Sequence, residues 1–155
     1  MKTVIRPPRP GDASAIADLA QQLGYAEPVA GIAARLRALE GTPHQAVFVA
    51  ENESGKVIGW TQVCGVHRLL TDPFAELAAL VIDERHRGSG IGRELVRWAL
   101  HWAAADGYSL MRVRTNIVRK RAHHFYEDLG FERTKTQYIF QAAVSPHGTG
   151  PDAQA

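Results

Sequence analysis

An apolar run, a basic glycine-rich segment and an amphipathic stretch follow one another without a break over residues 77–105. The run 77–82 is apolar throughout, which is typical of a strand covered on both faces of a sheet. Glycines then occupy alternate positions, at Gly88, Gly90 and Gly92. Apolar residues recur beyond them at every third or fourth position, at Ile91, Leu95, Trp98 and Trp102. This spacing predicts a helix over 90–105 that follows a central strand and a glycine loop.

A loop of this kind can bind an anion. The first amides of a helix have no partner within the helix and carry the positive end of its dipole. Glycines let the backbone approach a phosphate closely, and Arg85 and Arg87 add two guanidinium groups beside the loop. A glycine-rich turn that only starts the helix is the alternative, and it stays open at this point. The spacing excludes a P-loop, since Arg93 and Glu94 follow Gly92, and it excludes the dinucleotide-binding fingerprint, since Arg93 stands where its third glycine belongs.

Two motifs carry a resemblance to a known family. The segment Arg87-Gly-Ser-Gly-Ile-Gly92 has the pattern Arg/Gln-x-x-Gly-x-Gly/Ala, and residues 122–131 read Ala-x-x-Phe-Tyr-x-x-x-Gly-Phe. In this order the two motifs resemble the GNAT superfamily of acetyl-CoA-dependent N-acetyltransferases. The resemblance implies an α/β GNAT fold in a single domain over residues 1–144, with a mixed, centrally splayed sheet of six or seven strands and about four helices. Residues 145–155 are expected to form a disordered tail.

The remaining elements are predicted from local patterns. Strands are expected at 3–6, 46–51, 56–66, 77–82 and 110–116, with a strand-like segment at 131–144. Helices are expected from Asp12 to Gly24, from Pro28 to Gly41 and over 119–129, with the Asp12 side chain capping the first. Residues 67–73 are interpreted as a loop.

The resemblance also implies where acetyl-CoA, the expected cosubstrate, would bind. Main-chain groups of the central strand and glycine loop would contact it, with a bulge near Val81 that aims an amide at the thioester, while Asp83 and Glu84 would point away. The implied residues are Leu80, Val81, Ile82, Arg85, Arg87, Gly88, Ser89, Gly90, Ile91, Gly92 and Arg93. Asn116, Arg119 and Arg121 are further candidates for the pantetheine and phosphates, although a solvated basic face is an alternative for the two arginines.

Acetyl transfer to an amine requires a base for the amine and an acid for the departing thiolate. Glu76 is the candidate base, with an ordinary strand-end carboxylate as the alternative. Tyr126 matches the tyrosine of the second motif, which acts as the acid in many members of the family. From its position alone, Tyr126 would be a half-buried helix aromatic.

Several other residues are candidates for acceptor contact. The resemblance places Tyr25 and Glu27 in a loop that roofs the acceptor pocket, with an ordinary surface loop as the alternative. Arg112 and Arg114 share one strand face, and they would favour an acidic acceptor or pair with carboxylates. The seven histidines lack ligand spacing, so no metal is expected. The single cysteine, Cys64, is interpreted as a buried, unreactive thiol.

Composition limits the classes of function. The chain has 155 residues, a formal charge of +2, and no apolar run long enough for a membrane span or a signal peptide, so a cytoplasmic location is expected. The resemblance implies an N-acetyltransferase that passes the acetyl group of acetyl-CoA directly to a primary amine of a small-molecule or peptide acceptor, and we expect neither nucleic acid nor a membrane as partner. A non-catalytic acyl-CoA-binding sensor and a small basic nucleic-acid-binding protein are the alternatives. A homodimer through the final strands stays open.

Overall fold

Five strands form one sheet in the order in which they occur along the chain. They are β1 (Thr3–Arg6), β2 (Gln45–Asn52), β3 (Val57–Arg68), β4 (Thr71–Ile82) and β5 (Met111–Val113). The first four are antiparallel to their neighbours, whereas β5 runs parallel to β4. The predicted α/β class with a mixed sheet is confirmed. The computed structural model, which describes residues 2–144, contains five strands there rather than six or seven.

The described part of the chain contains four α-helices. They are α1 (Ala13–Gln22), α2 (Val29–Leu39), α3 (Ile91–Ala105) and α4 (Lys120–Asp128). Residues 2–114 form one compact unit and residues 115–144 a second, which contains α4. The expected tail, 145–155, lies outside the described residues.

The sheet of the first unit has an apolar cluster on the side of α1. Ile16 and Leu19 of α1 pack there with Val49, Val57 and Val81, all of them nearly inaccessible to solvent. On the side of α3, Phe48 of β2 contacts Trp98, with ring centroids 5.7 Å apart. Burial of both faces explains why β4 is apolar at consecutive positions instead of alternating.

The β3–β4 connection differs from the predicted loop at 67–73. The two strands form a long hairpin in which Leu69 and Leu70 alone connect them, and both leucines are almost fully exposed. Pro73 lies inside β4, where the register shifts between the Val66–Phe74 and Arg68–Thr71 pairs. A proline is tolerated at such a shift because no ladder hydrogen bond requires its missing N–H. The exposed apolar turn lacks the polar residues that normally mark a hairpin, so the loop prediction was wrong.

Two further local predictions were wrong. Asp12 does not cap α1 with its side chain; its carboxylate accepts hydrogen bonds from Arg6 Nη1 at 2.7 Å and from the Arg9 amide at 2.6 Å. The half-buried guanidinium of Arg6 is a stronger partner for the carboxylate than a helix amide. Residues 131–144 contain no helix or strand, although their composition favours a strand. Strand propensity does not supply the inter-strand hydrogen bonds that define a strand.

Candidate active site

The parallel ladder between β4 and β5 is short. Their ladder consists of the pairs Ala75–Met111, Glu76–Arg112 and Leu77–Val113. Strand β4 continues to Ile82, so within the described chain its residues 78–82 have no partner on the β5 side. Main-chain groups that no neighbouring strand satisfies can bind an extended ligand as a missing strand would. The β4–β5 ladder therefore ends five residues before β4 does.

A β-bulge lies at Ala78, three residues before Val81, near which a bulge was predicted. Gln62 pairs with Ala79 while the next residue, Val63, pairs with Leu77, which leaves Ala78 as the extra residue. Val81 itself is regularly paired with Trp60. The buried hydroxyl of Thr61 donates a hydrogen bond of 2.7 Å to the carbonyl of Ala79, so a side chain satisfies a main-chain group next to the bulge. The sequence signal that could have predicted this contact is a threonine within an otherwise apolar stretch of strand.

The glycine loop turns directly into α3. Gly90 is the residue before the helix, and Gly88 and Gly90 have positive φ angles of 79° and 89°. A Cβ atom at either position would meet nothing within 4 Å, so the main chain there is open to an approaching group. These backbone conformations favour glycine, and the first amides of α3 point out of the helix end as an anion site requires. Ile91 is buried, whereas Arg87, Ser89 and Arg93 are exposed.

Asp83 is buried at the end of β4, although the sequence predicted that it points away from the loop. Its carboxylate accepts hydrogen bonds from the Arg85 amide at 3.0 Å and from Arg85 Nε at 3.3 Å, and its own amide donates to the Ile58 carbonyl at 2.9 Å. The guanidinium of Arg85 holds the pKa of Asp83 below its ordinary value. Burial of a carboxylate requires such partners, so Asp83 fixes Arg85 and ties the loop to β3. The sequence signal for this contact, which the prediction missed, is an acidic residue followed two positions later by an arginine.

Glu76, the candidate base, forms an ion pair with Arg114. Glu76 Oε1 lies 2.6 Å from Arg114 Nε, and the glutamate side chain is 14 % exposed against 65 % for the arginine. Glu76 is also the register partner of Cys64 on β3. Burial, followed by the charge of Glu76, raises the pKa of the Cys64 thiol, with Arg114 opposing. A protonated thiol is a poor nucleophile, which agrees with a structural Cys64.

The second unit contains the remaining predicted residues. The Asn116 side chain accepts a hydrogen bond from the Val118 amide at 3.1 Å, and the Asn116 carbonyl accepts from the His123 ring at 3.0 Å. Asn116 therefore organises the turn before α4. Arg119 and Arg121 lie at the beginning of that helix and are exposed.

Tyr126 lies on α4 within a group of aromatic rings. Its ring is 5.1 Å from Phe125 and 5.6 Å from Phe131, both in edge-on arrangements. Burial raises the pKa of Tyr126 to about 12, with the positive charge of Arg119 working against it. The phenol therefore keeps its proton throughout the physiological pH range.

The two candidate residues in the loop between α1 and α2 have different surroundings. The Tyr25 side chain is exposed, whereas Glu27 forms an ion pair of 2.8 Å with Arg35 of α2.

Across residues 2–144, no group of three or more His, Cys, Asp or Glu side chains is arranged to hold a metal ion. No helix in that range is long and apolar enough to cross a bilayer.

Comparisons with known proteins identify the family. The model of the acetyltransferase (GNAT) family matches residues 14–131. Human N-acetyltransferase 8B is 36% identical over 93 residues, which are 59% of this chain and 40% of that protein. N-acetylaspartate synthetase of Xenopus tropicalis is 36% identical over 90 residues, 58% of this chain and 32% of that protein.

The chain thus spans less than half the length of these two relatives. An aminoglycoside N-acetyltransferase solved in complex with CoA superimposes with a TM-score of 0.81 at 20% identity, over 92% of this chain and 96% of that one. That similarity establishes the fold, and the family match covers most of the sequence. This chain belongs to the GNAT family of acetyltransferases.

Proposed function

We propose that this protein is an N-acetyltransferase that passes the acetyl group of acetyl-CoA directly to a primary amine. The observation that carries the proposal is the end of the β4–β5 ladder at the Leu77–Val113 pair, which leaves residues 78–82 unpaired on that side of a strand that leads into the glycine loop of α3. A relative named as an N-acetyltransferase and a similar fold solved with CoA support the same conclusion.

The chain's own groups fit acetyl-CoA, which supplies an acetyl group activated as a thioester. Main-chain groups of Leu80, Val81 and Ile82 are the candidates for the pantetheine arm, because β5 does not pair with that part of β4. The open main chain at Gly88 and Gly90 and the first amides of α3 would hold the diphosphate. Arg87 and Arg93 are exposed beside the loop, while Arg85 is held by Asp83. Asn116, Arg119 and Arg121 remain candidates from the second unit.

Glu76 is proposed as the base, acting on the acceptor amine directly or through a water molecule. An amine with the pKa of a lysine side chain, about 10.4, costs roughly 4–5 kcal/mol to deprotonate at neutral pH. A carboxylate held in place by Arg114 can accept the proton of the ammonium group, and the neutral nitrogen then attacks the thioester carbonyl.

Tyr126 is proposed as the acid that stabilises the departing thiolate. With its pKa near 12 and a parent thiol near 8.5, full proton transfer is uphill by about 5 kcal/mol. That cost is small beside a typical catalytic barrier, and a hydrogen bond from the phenol stabilises the thiolate before the proton moves.

Calorimetry with CoA and acetyl-CoA tests the cofactor site. We expect saturable binding by the unmodified chain and weakening of about tenfold or more in Gly90→Ala, since its methyl group would occupy the space for the phosphates. Gly55→Ala is the matched control, because Gly55 also has a positive φ of 78° and open space around its Cβ, but lies in the β2–β3 turn. Absence of heat with both ligands in the unmodified chain would contradict the proposed function.

A non-catalytic acyl-CoA-binding module is the second candidate, because the ion pair with Arg114 already occupies the proposed base. Thiol release from acetyl-CoA in the presence of a panel of amines separates the two functions. Binding of acetyl-CoA without release for any amine would favour the binding module.

A further inference from the structure

Three arginines lie together near the first residues of β4. We name Arg68, Arg112 and Arg114 the arginine cluster. The guanidinium carbon of Arg112 lies 4.1 Å from the centroid of the Phe74 ring, and that of Arg68 lies 5.5 Å from the same centroid. Arg114 is ion-paired with Glu76. Phe74 is buried and cannot shift easily, so it provides a fixed platform for the two stacked guanidinium groups.

The register places this cluster on the same face of the sheet as α1. Trp60 packs against the cluster of apolar side chains that includes Ile16 and Leu19 of α1. Alternate residues of β3 share the face of Trp60, and Arg68 is one of them. Phe74 is paired with Val66, which belongs to the same alternating set. The opposite face is the side of Tyr108, whose hydroxyl would contact a Cβ atom at position 65.

The cluster has an excess of positive charge. It contains three guanidinium groups, and Glu76 is the carboxylate paired with one of them. Within residues 2–144, neither Arg68 nor Arg112 lies within ion-pair distance of a carboxylate. Arg68 is exposed and Arg112 is half-buried, so both can reach a dissolved ligand. A stacked guanidinium keeps its planar donors at the ring's edge, where they can bind an oxyanion through two parallel hydrogen bonds.

We propose that the arginine cluster binds an anionic group on the acceptor, so that the acceptor is a small primary amine that also carries a carboxylate or a phosphate. This inference rests on the proposed function. Arg112 is the register partner of Glu76, one residue before the β4–β5 ladder ends. An anion held by Arg112 therefore leaves the amine of a small molecule within reach of the proposed base. A polycationic amine would meet like charges at the same place, which disfavours its binding.

Matched pairs of acceptors test the inference by thiol release from acetyl-CoA. The carboxylate arm compares aspartate with its diamide, and the phosphate arm compares O-phosphoethanolamine with ethanolamine and glucosamine 6-phosphate with glucosamine. Spermidine and kanamycin represent polycationic amines. We expect kcat/KM to be at least about tenfold higher for the anionic member of at least one pair, and the arm that responds identifies the group.

Two variants connect that preference to the cluster. Arg112→Gln and Arg68→Gln should each reduce the preference for the anionic member by about tenfold, mainly through the KM of the acceptor, with the KM of acetyl-CoA unchanged. Arg112→Lys should restore part of the preference because it keeps the charge. Lys56→Gln, which removes an exposed cation in the β2–β3 turn, is the control and should retain the full preference.

Two results would overturn the inference while the proposed function stands. In the first, the chain binds CoA and releases thiol, but it uses neutral or polycationic amines as well as it uses anionic ones. The other is an anionic preference that persists unchanged in folded Arg112→Gln and Arg68→Gln, with folding verified by circular dichroism. Absence of CoA binding would instead overturn the proposed function, and this inference with it.

Discussion

Glu76 Oε1 lies 2.6 Å from Arg114 Nε, and Glu76 is one residue short of the point where β4 and β5 stop pairing. The ion pair therefore holds a carboxylate next to the part of β4 that has no partner on the β5 side. A group in that position can either act on a substrate amine or serve only to join the two strands. The two roles predict different kinetics.

Glu76→Gln should lower kcat by about 100-fold or more at neutral pH, the range expected for loss of a general base. The deficit should shrink at higher pH, because a larger fraction of the amine is then already neutral. Steady-state rates of thiol release between pH 7 and about 10 measure both effects. Arg114→Gln breaks the same ion pair and keeps the carboxylate; equal losses of kcat in the two variants would show that Glu76 is only structural.

Tyr126→Phe should lower kcat by about tenfold to 100-fold, since it removes the donor to the departing thiolate and keeps the ring. Calorimetry should give a dissociation constant for acetyl-CoA within about twofold of the unmodified chain. Tyr138→Phe is the control, because Tyr138 is an exposed tyrosine. A fall in affinity equal to the fall in turnover would contradict the acid role.

The pH dependence of kcat follows from the same phenol. Burial raises the pKa of Tyr126 to about 12, and an acid is active in its protonated form, which is present at every pH below that value. Turnover of the unmodified chain should therefore show no decline on the alkaline side up to about pH 10. A decline centred near pH 9 that disappears in Tyr126→Phe would place the pKa of the working phenol far below 12.

Asp83→Asn should lower the free energy of unfolding by about 1–3 kcal/mol at pH 7, because it removes a buried charge-assisted partner of Arg85. The pKa of Asp83 is lower in the folded chain than its unfolded value of about 3.9. This contribution is therefore fully present above the unfolded pKa and is lost as pH falls through the folded pKa. Urea denaturation at several pH values should show the difference shrinking below about pH 4, with exposed Glu84→Gln as the control. A difference that does not change with pH would contradict this account.

Gly65→Ala should destabilise the fold by about 1–3 kcal/mol through overpacking. A Cβ atom at position 65 would lie 1.8 Å from the hydroxyl of Tyr108, which also contacts the rings of His44 and His67 at 2.8 and 3.0 Å. Gly11→Ala is the matched control, because its Cβ would meet nothing within 4 Å. Thermal unfolding of the two variants measures the contrast, and equal melting temperatures would contradict the packing argument.

Patterns within a single element were predicted well. The apolar spacing from Ile91 to Trp102 predicted α3, which begins at Ile91 and ends at Ala105, and β1 has the predicted bounds Thr3–Arg6. The family also followed from two short motifs. In each case the signal lies in residues that are close together in the chain, where side-chain periodicity and turn chemistry act directly.

Contacts that depend on how the elements pack together were not predicted. The partner of Asp12 is Arg6 instead of the helix end, the bulge lies at Ala78 instead of Val81, and Asp83 points inward to Arg85. Each outcome depends on which of several available donors or pairings has the lowest free energy once the strands and helices pack together. Residues 131–144 show the same limit, since a favourable composition did not produce a strand.

The sequence by itself determined the class of fold, the glycine loop before α3 and the family, because these depend on the order and spacing of residues along the chain. Only the tertiary structure decided that Glu76 pairs with Arg114, and that two guanidinium groups stack on Phe74. The physical reason is that charge pairing and ring stacking depend on separations in space, and the pairing register of β3, β4 and β5 sets those separations.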